Sequence, residues 1–286
     1  MKITDIITGN KPSLSFEVFP PKTTDKFDSV LAATEKIAAL SPSYMSVTYG
    51  AGGGTSLYTA EIASRLLADG VTPLAHLSCI SSTHSEIISL LTDLRARGIE
   101  NILALRGDIP QGTEHPSMEY KYASELISEI ADFGGFTMGG ACYPEGHPES
   151  ANSAADIEAL RIKVESGCSF LTTQMFFDNN ILYNFMYRLY KTGVNVPVVP
   201  GIMPVTNAAQ IKRIISISGN SLPQRFLRLV DRYGDNPQAM KQAGVAYATE
   251  QIIDLFANGF NAVHVYSMNK PDVAAKIKEN ISEILA

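Results

Sequence analysis

One pattern constrains the fold of this chain more than any other: short β-rich segments alternate with longer segments of helical period. Most of the helical segments end at glycine, which is typical of a helix C-terminus. Strands that alternate with helices pair in parallel through right-handed crossovers, and eight such units close a barrel. The sequence therefore predicts the fold class α/β, as a (β/α)8 TIM barrel. The predicted strands are Ser13–Val18, Tyr44–Tyr49, Thr72–Cys79, Asn101–Arg106, Thr137–Tyr143, Phe170–Phe176, Pro197–Met203 and Ala262–Met268.

The helical segments comprise regular crossovers and one insertion. The insertion, Leu222–Asn258, precedes the last strand and is long enough for at least two helices. Because no linker or change of composition interrupts the chain, we interpret residues 1–286 as a single barrel domain. The other helices are predicted at Asp25–Leu40, Ser56–Ala68, Thr83–Arg97, Tyr120–Phe133, Ala154–Ser166, Asn180–Lys191, Asn207–Ile217 and Asp272–Leu285.

A doubly wound open sheet is the structural alternative. Its dinucleotide-binding form carries GxGxxG after the first strand, whereas here the first strand ends at Pro20-Pro21. The glycine-rich run Gly50-Ala51-Gly52-Gly53-Gly54 does not have that spacing, and no Lys-Ser or Lys-Thr pair follows it as in a P-loop.

Charge and cysteine usage exclude several classes of partner. The formal net charge is −6 and there is no run of Lys or Arg, so we expect neither nucleic acid nor an anionic membrane as the main partner. Cys79, Cys142 and Cys168 are far apart in sequence, which favours reduced thiols and a cytoplasmic protein. The N-terminus has no apolar segment typical of a signal peptide, and no apolar run reaches the roughly 18 residues of a membrane span.

Glu17 is the first candidate for chemistry. It lies in the first predicted strand between Phe16 and Val18. A carboxylate among apolar neighbours raises its pKa, pairs with a cation or takes part in proton transfer. A polar strand face, or an ion pair with a nearby Lys or Arg, is the structural alternative, and the residues alone leave both open.

Polar and aromatic side chains collect at the predicted C-terminal strand ends, where barrel enzymes have their active sites. Among them, Arg106-Gly107-Asp108 is interpreted either as a ligand clamp or as a salt-bridged turn. The glycine run Gly50–Gly54 either receives a phosphate or a flat ring, or forms a tight turn. The strand-end residues are Glu17, Thr48, Tyr49, His76, Arg106, Gly107, Asp108, Tyr143, His147, Gln174, His264, Tyr266, Asn269 and Lys270.

Other chemistries have weaker support. His76, His147 and His264 lack the tight spacing of metal ligands, so we expect no metal. There is no GxSxG motif and no cysteine in a triad context. Glu17 and Asp108 resemble a glycosidase carboxylate pair, but the chain has no tryptophan to stack on sugars. The residues alone predict a barrel enzyme with Glu17 as general acid and Asp108 as a second carboxylate, and they do not name the substrate.

Nine motifs, in this order, resemble the methylenetetrahydrofolate reductase family: SFEVFPPK, SVTYGAGGG, AHLSC, ILALRGD, YASELI, CYPEGHPES, TTQMFFD, PGIMPV and HVYSMN. Each motif alone is weak, whereas nine in order are specific. They run from about Ser13 to Lys270. The resemblance implies the short bacterial form, which consists of the catalytic barrel without the regulatory domain.

The resemblance implies an oxidoreductase that reduces 5,10-methylenetetrahydrofolate to 5-methyltetrahydrofolate. Electrons would come from NADH or NADPH through non-covalently bound FAD, with the two substrates alternating in a ping-pong mechanism. Such an enzyme feeds one-carbon metabolism and methionine synthesis, and we expect a homo-oligomer. The sequence does not distinguish NADH from NADPH.

The resemblance also assigns residue roles. Glu17 would protonate the folate N10, which requires a protonated carboxyl of the kind that an apolar setting favours. Asp108 would stabilise the iminium cation that forms, and Gln174 would hydrogen-bond the pterin. Ala51 corresponds to a nicotinamide contact, and Gln210 and Lys270 correspond to folate contacts. The implied FAD contacts are Thr48, His76, Arg106, Gly107, Asp108, Tyr122, Ala123, Tyr143, His147, Asp156 and Lys163.

Two positions depart from the family pattern. Lys270 stands where an arginine is expected for the glutamate tail of folate, and a lysine lacks the bidentate fork. Ala159 stands where a polar residue on the cofactor side is common.

Three other functions stay open: a relative that uses reduced ferredoxin or a partner flavoprotein, a barrel that binds folate or flavin without turnover, and a metal-free lyase or glycosidase.

Overall fold

The computed structural model describes residues 1–21, 23–49, 56–108, 119–211, 214 and 221–286. These residues form parallel strands that alternate with helices, as the sequence pattern predicts, and the (β/α)8 barrel is confirmed. The strands are β1 Ser13–Val18, β2 Met45–Val47, β3 Pro73–Ser78, β4 Asn101–Leu105, β5 Thr137–Cys142, β6 Phe170–Thr173, β7 Val198–Val199, β8 Gly201–Ile202 and β9 Ala262–Tyr266.

Pro200 lies where the sheet closes. The strand order is β7-β6-β5-β4-β3-β2-β1-β9-β8, so the two outer strands are β7 and β8, which only Pro200 separates in the chain. The prediction of one strand over Pro197–Met203 is therefore wrong in detail, because proline has no N–H to donate and interrupts the ladder. The Pro200 carbonyl still accepts from the His264 N–H at 2.8 Å. An open sheet is excluded because the divided strand pairs with β6 on one side and β9 on the other.

The helices follow the predicted crossovers with shifts of one to three residues at most ends. A 3₁₀ turn, Thr24–Lys26, replaces the predicted start of the first crossover helix. The predicted helix over Asn207–Ile217 lies partly outside the described residues. None of the described helices is long and apolar enough to span a membrane. The helices are α1 Ile3–Ile7, α2 Phe27–Ala38, α3 Ser56–Ala68, α4 His84–Ala96, α5 Ala123–Phe133, α6 Ser153–Glu165, α7 Asn179–Lys191, α8 Gln224–Tyr233, α9 Pro237–Ala257, α10 Pro271–Asn280 and α11 Ser282–Leu285.

Strand alternation separates an outer apolar core from the barrel interior. Leu14, Phe16 and Val18 of β1 belong to a buried cluster that includes Ile37 of α2 and Ile277 of α10. Because successive strand residues face opposite sides, the intervening residues of β1 face the interior of the barrel. The side of β1 that carries Glu17 is thus separate from the side that its apolar neighbours occupy.

The N-terminal end of the barrel is closed by α1, which the sequence did not predict. Ile3 and Ile7 are buried against Tyr44, Leu103 and Phe170, among other interior residues. This apolar packing seals the end of the barrel opposite the strand C-termini. It leaves the other end for polar side chains, as in barrel enzymes generally.

Gly139 makes room for this packing. A Cβ atom at Gly139 would overlap the ring of Phe170, its register partner on β6. Glycine is therefore required on β5 if a phenylalanine is to fill the interior at this level.

The insertion before the last strand contains two helices, α8 and α9, as predicted. They enclose a third apolar cluster that includes Phe177, Val205, Ile211 and Phe226. This cluster supports the segment after β8, which carries the predicted folate contact Gln210. The interpretation of residues 1–286 as one domain stays a prediction.

We predict that Asn101→Ala destabilises the protein by about 1–3 kcal/mol, the cost of an unsatisfied buried hydrogen-bonding group. Asn101 Oδ1 accepts from the buried Ile3 N–H at 2.9 Å, and Nδ2 donates to the Met1 carbonyl at 3.1 Å. Urea unfolding measures the loss. The control is Asn184→Ala on the exposed face of α7, for which we expect less than about 0.5 kcal/mol. Equal losses for the two variants would contradict the role of Asn101 in holding α1.

Candidate active site

Side chains from three strands, β2, β3 and β9, surround the Glu17 carboxylate inside the barrel. On β1, Glu17 is in register with Ser46 of β2 and Tyr266 of β9. The Ser46 hydroxyl donates to Glu17 Oε2 at 3.3 Å. The Nε2 atoms of His76 and His264 lie 3.6 Å and 3.9 Å from the same oxygen. The Glu17 side chain retains 18% exposure, so the carboxylate keeps access from the mouth of the barrel.

His264 is held on both ring nitrogens. The Ser15 hydroxyl lies 2.7 Å from Nδ1, and the Ser46 hydroxyl lies 3.0 Å from Nε2. The imidazole also stacks on the Tyr44 ring, with a centroid distance of 5.7 Å and an interplanar angle of 4°. These contacts fix the orientation of a buried histidine beside Glu17.

The apolar setting expected for Glu17 is wrong. Phe16 and Val18 pack outside the barrel, whereas the carboxylate faces serine and histidine side chains. Burial raises the pKa of Glu17, but the imidazoles of His264 and His76 and the hydrogen bond from Ser46 lower it more, so the net direction is downward. Of the two structural alternatives, the polar strand face is observed, whereas an ion pair with Lys or Arg is not found among the described residues, since the neighbours of the carboxylate are serine and histidine.

His76 is buried without a full set of partners. Its side chain lies in the interior on β3, and Nε2 has no hydrogen-bond partner in the part of the chain that the structure describes, although Glu17 Oε2 is 3.6 Å away. Burial lowers the pKa of His76 to about 4, although the negative charge of Glu17 raises it. His76 is therefore neutral at physiological pH and has a ring nitrogen left over for a ligand.

The turn after β9 is locked onto the end of β1. Met268 and Asn269 have φ angles of 54° and 52°, a left-handed conformation that is uncommon for residues other than glycine. The Asn269 side chain exchanges two hydrogen bonds with the backbone of Phe19, and the Ser267 hydroxyl donates to the Glu17 carbonyl at 2.5 Å. Backbone strain of this kind is concentrated at functional sites.

A cavity of about 850 Å³ opens at the C-terminal ends of β3, β4 and β5, and α5 and α6 complete its walls. Thr48 and His76 do not line it. However, His76 lies two residues before the lining residue Ser78 on β3, so the Glu17 cluster is about 7 Å away along the strand. Nine of the residues predicted as FAD contacts line the cavity: Arg106, Gly107, Asp108, Tyr122, Ala123, Tyr143, His147, Asp156 and Lys163.

Arg106-Gly107-Asp108 forms part of the cavity wall, and the ion pair of Arg106 is formed with Glu149, outside the tripeptide. Both terminal nitrogens of its guanidinium donate to the Glu149 carboxylate, one of them at 2.7 Å. Gly107 has a φ of 88°, and a Cβ atom there would lie 3.0 Å from Ser78 Cβ, so glycine is required at this position. Of the two interpretations of the tripeptide, the salt-bridged turn is observed, with Glu149 as the partner of Arg106, and the ligand clamp stays a prediction.

A second cation and two further polar groups complete the wall. Lys163 Nζ donates to the Ala141 carbonyl at 2.8 Å, and burial lowers the pKa of Lys163. His147 packs edge-on to Tyr143 at 4.6 Å, and burial lowers its pKa as well. Asp156 is buried in the first turn of α6. Cations and a carboxylate in one concave site suit a ligand with both phosphate and hydroxyl groups.

The predicted substrate contacts lie outside this cavity wall. Gln174 directly follows β6, and Lys270 Nζ donates to Thr206 Oγ1 at 2.6 Å. The side-chain oxygen of Gln210 is buried and has no hydrogen-bond partner among the described residues. Ala51, with the whole Gly50–Gly54 run, lies outside the described residues.

Comparison with known proteins decides the family. The chain matches the profile of the family described as methylenetetrahydrofolate reductase over residues 2–282. It is 32% identical over 266 residues to the 5,10-methylenetetrahydrofolate reductase of Escherichia coli (strain K12), an alignment that covers 93% of this chain and 89% of that protein. The chain belongs to the methylenetetrahydrofolate reductase family. The resemblance found in the nine motifs is confirmed, and so is the prediction of an enzyme of this family.

Two other relatives place this family member in context. This chain is 31% identical over 300 residues to the Arabidopsis thaliana protein named methylenetetrahydrofolate reductase (NADH) 1. The alignment covers 99% of this chain but only 50% of that longer protein. Among solved structures, an uncharacterized Clostridium thermocellum protein that binds two copies of 5-methyl-5,6,7,8-tetrahydrofolic acid has a TM-score of 0.70 at 14% identity. The alignment covers 99% of this chain and 100% of that one, and the likeness supports the barrel fold.

Sequence reasoning missed several residues of this reductase-family site. Ser15 and Ser46 contact His264, and the alternation Ser13-x-Ser15-x-Glu17 was a signal that β1 has a polar inner side. Glu149 was not predicted, because no feature of the motif CYPEGHPES identifies it as the partner of Arg106. Side-chain pairs between distant loops leave no local pattern in a sequence.

The three cysteines of the reductase-family chain are free and buried. Burial raises the pKa of Cys79 to about 12 and that of Cys168 to about 11, and it also raises the pKa of Cys142. These thiols stay protonated at neutral pH and are poor nucleophiles.

We predict that His76 makes the protein sensitive to acid. Its pKa is about 4 when folded and about 6.5 in an unfolded chain, so between these values only the unfolded state binds the proton. The free energy of unfolding is therefore unaffected by His76 well above pH 6.5. It decreases as the pH falls below that value, by about 2 kcal/mol at pH 5. Glu17, whose pKa is lowered, adds its own loss only below about pH 4.5.

Urea unfolding at pH 7.5 and pH 5 measures this loss, and His76→Gln should remove most of it. The control is His84→Gln. His84 is exposed, and its hydrogen bond with Glu129 raises its pKa, so this variant should not reduce the acid loss. If His76→Gln lost as much stability between pH 7.5 and pH 5 as the parent protein, His76 would not be the source of the acid sensitivity.

Proposed function

We propose that this protein reduces 5,10-methylenetetrahydrofolate to 5-methyltetrahydrofolate with electrons from NADH or NADPH, using FAD and binding the two substrates in alternation. Membership of the methylenetetrahydrofolate reductase family supports the reaction. One observation carries the proposal: the Glu17 carboxylate, held among histidines, lies next to a cavity that contains Arg106 and Lys163. A proton-transfer group and a diphosphate site are thus adjacent.

The residues of the cavity fit FAD. Arg106 and Lys163 have the charge to hold a diphosphate, and Gly107 allows the backbone to approach a ligand closely. Asp156 is suited to a ribose hydroxyl. The unpartnered Nε2 of His76 is available to a polar edge of the ring system. Bound FAD would supply hydride uptake from the nicotinamide and hydride delivery to the folate.

The folate side is proposed from three residues around the mouth. Gln174, at the end of β6, would hydrogen-bond the pterin. Gln210 has a buried side-chain oxygen that lacks a partner among the described residues, which a folate N–H would satisfy. Lys270, with its ammonium on Thr206, would bind a carboxylate of the glutamate tail as a point charge.

Glu17 would provide the proton that opens the folate ring. Its pKa is lowered in the ligand-free protein, so the carboxylate must gain its proton when the folate binds. A pterin that covers the site removes water from Glu17, and the effect of burial, which raises its pKa, becomes larger. Asp108, exposed at the end of β4, would then stabilise the cationic folate by its negative charge.

We predict that Glu17→Gln separates the two half-reactions. A general acid contributes about 10²- to 10⁴-fold, so flavin reoxidation by 5,10-methylenetetrahydrofolate should slow by that factor. Flavin reduction by NADH should stay within about twofold, since no proton from Glu17 is needed there. Anaerobic stopped-flow absorbance of the flavin measures both rates in one preparation.

Glu35→Gln is the matched control, because Glu35 is a half-exposed carboxylate paired with Arg65 on α3. Both of its half-reactions should match those of the parent protein. Equal slowing of both half-reactions in Glu17→Gln, or an unchanged folate half-reaction, would contradict the role of Glu17. The cytoplasmic location stays a prediction from the scattered cysteines, and the homo-oligomeric state and the place in methionine synthesis stay predictions from the resemblance.

A further inference from the structure

A bidentate ion pair in the cavity wall joins two loops that are distant in sequence. Arg106, at the end of β4, donates from both terminal nitrogens to the two carboxylate oxygens of Glu149. The Arg106 side chain is 22% exposed, whereas the Glu149 side chain is 61% exposed. The cation is therefore set into the wall, and the anion reaches it from the solvent side.

The geometry of this pair is that of a guanidinium bound to an oxyanion. Two parallel N–H···O bonds to one carboxylate use the same fork that arginine offers to two oxygens of a phosphate. The hydrogen bond from Arg106 holds the pKa of Glu149 below its usual range, so Glu149 is an anion at neutral pH. Arg106 cannot offer the same two N–H groups to Glu149 and to a diphosphate at once.

We propose that Glu149 is a built-in competitor for the diphosphate of the cofactor, which pairs with Arg106 in the cofactor-free protein and is displaced when the diphosphate binds. This inference rests on the proposed function, because it assigns the diphosphate of FAD to Arg106. It adds a residue that lowers the affinity for the cofactor and that neither the motifs nor the family assignment identified.

When a diphosphate replaces Glu149 on Arg106, we expect Glu149 to move and Arg106 to stay, because the two side chains are anchored differently. Arg106 Nε donates to the Gly107 carbonyl at 3.2 Å, which keeps the guanidinium in place. Glu149 is tied through its backbone, whose N–H donates to His147 Nδ1 at 3.1 Å, and its side chain is free to turn into solvent. A largely exposed carboxylate loses little when it returns to water.

Glu158 offers a matched comparison. It lines the same cavity and is exposed, but its carboxylate pairs with Arg161 rather than with Arg106. Glu158→Gln removes one negative charge from the cavity wall without releasing Arg106. A general effect of charge would therefore appear in both variants, and competition for Arg106 only in Glu149→Gln.

The test measures binding to the full-length chain after its flavin has been removed, with quenching of flavin fluorescence as the readout. We expect Glu149→Gln to lower the Kd for FAD by up to about fivefold, the range for losing a partly exposed ion pair. Glu158→Gln should leave it unchanged. Riboflavin, which has no diphosphate, should bind all three proteins equally, and ADP, followed by calorimetry, should show the same ratio as FAD.

Salt gives a second readout. In the parent protein FAD replaces one ion pair of Arg106 by another, whereas in Glu149→Gln it forms a pair without breaking one. The affinity of the variant should therefore fall more steeply with salt. Unchanged or weaker FAD binding in Glu149→Gln, or equal gains in both variants, would overturn the competition while leaving FAD binding intact. Absence of FAD binding in all three proteins would instead overturn the proposed cofactor and this inference with it.

Discussion

The Glu17 carboxylate stays inside the barrel because side chains of β2, β3 and β9 contact or closely approach it. An isolated buried carboxylate is costly, and here that cost is reduced by a hydrogen bond from the Ser46 hydroxyl and by the polar Nε2 atoms of His76 and His264, which lie 3.6 Å and 3.9 Å from Glu17 Oε2. Each contact depends on the register of parallel strands, since a shift of one residue would turn these side chains toward the helices. The hydrogen bonds from Ser267 and Asn269 to the end of β1 hold that register where the strand leaves the sheet.

The barrel separates its two ends by chemistry. At the N-terminal end Ile3, Ile7 and Phe170 fill the interior, so that end contributes packing. At the C-terminal end, β1 carries Glu17, β3 carries His76 and Arg106 follows β4, and a cavity of about 850 Å³ opens at the ends of β3, β4 and β5. Packing and chemistry are therefore assigned to opposite ends of the barrel.

Local sequence signals were sufficient for the barrel and for nine lining residues of the cavity, because strand periodicity, terminal glycines and short motifs act over a few residues. They failed where distant segments meet. The sequence predicts a continuous strand through Pro200. Only the closed sheet shows that β7, before Pro200, pairs with β6, whereas β8, after it, pairs with β9. Glu17 was given an apolar setting from Phe16 and Val18, although alternation places those two on the outer side. The pair Arg106–Glu149 had no sequence signal, because 43 positions separate its members.

We propose that electrons pass from a nicotinamide to a folate through one flavin held in this cavity. The most direct measurement is the visible absorption spectrum of the purified protein, recorded anaerobically before and after NADH and again after 5,10-methylenetetrahydrofolate. The account predicts flavin bands that bleach with NADH or NADPH and return with the folate. Bands that stay oxidised with both nicotinamides, or a protein that takes up no flavin when FAD is added, would contradict it.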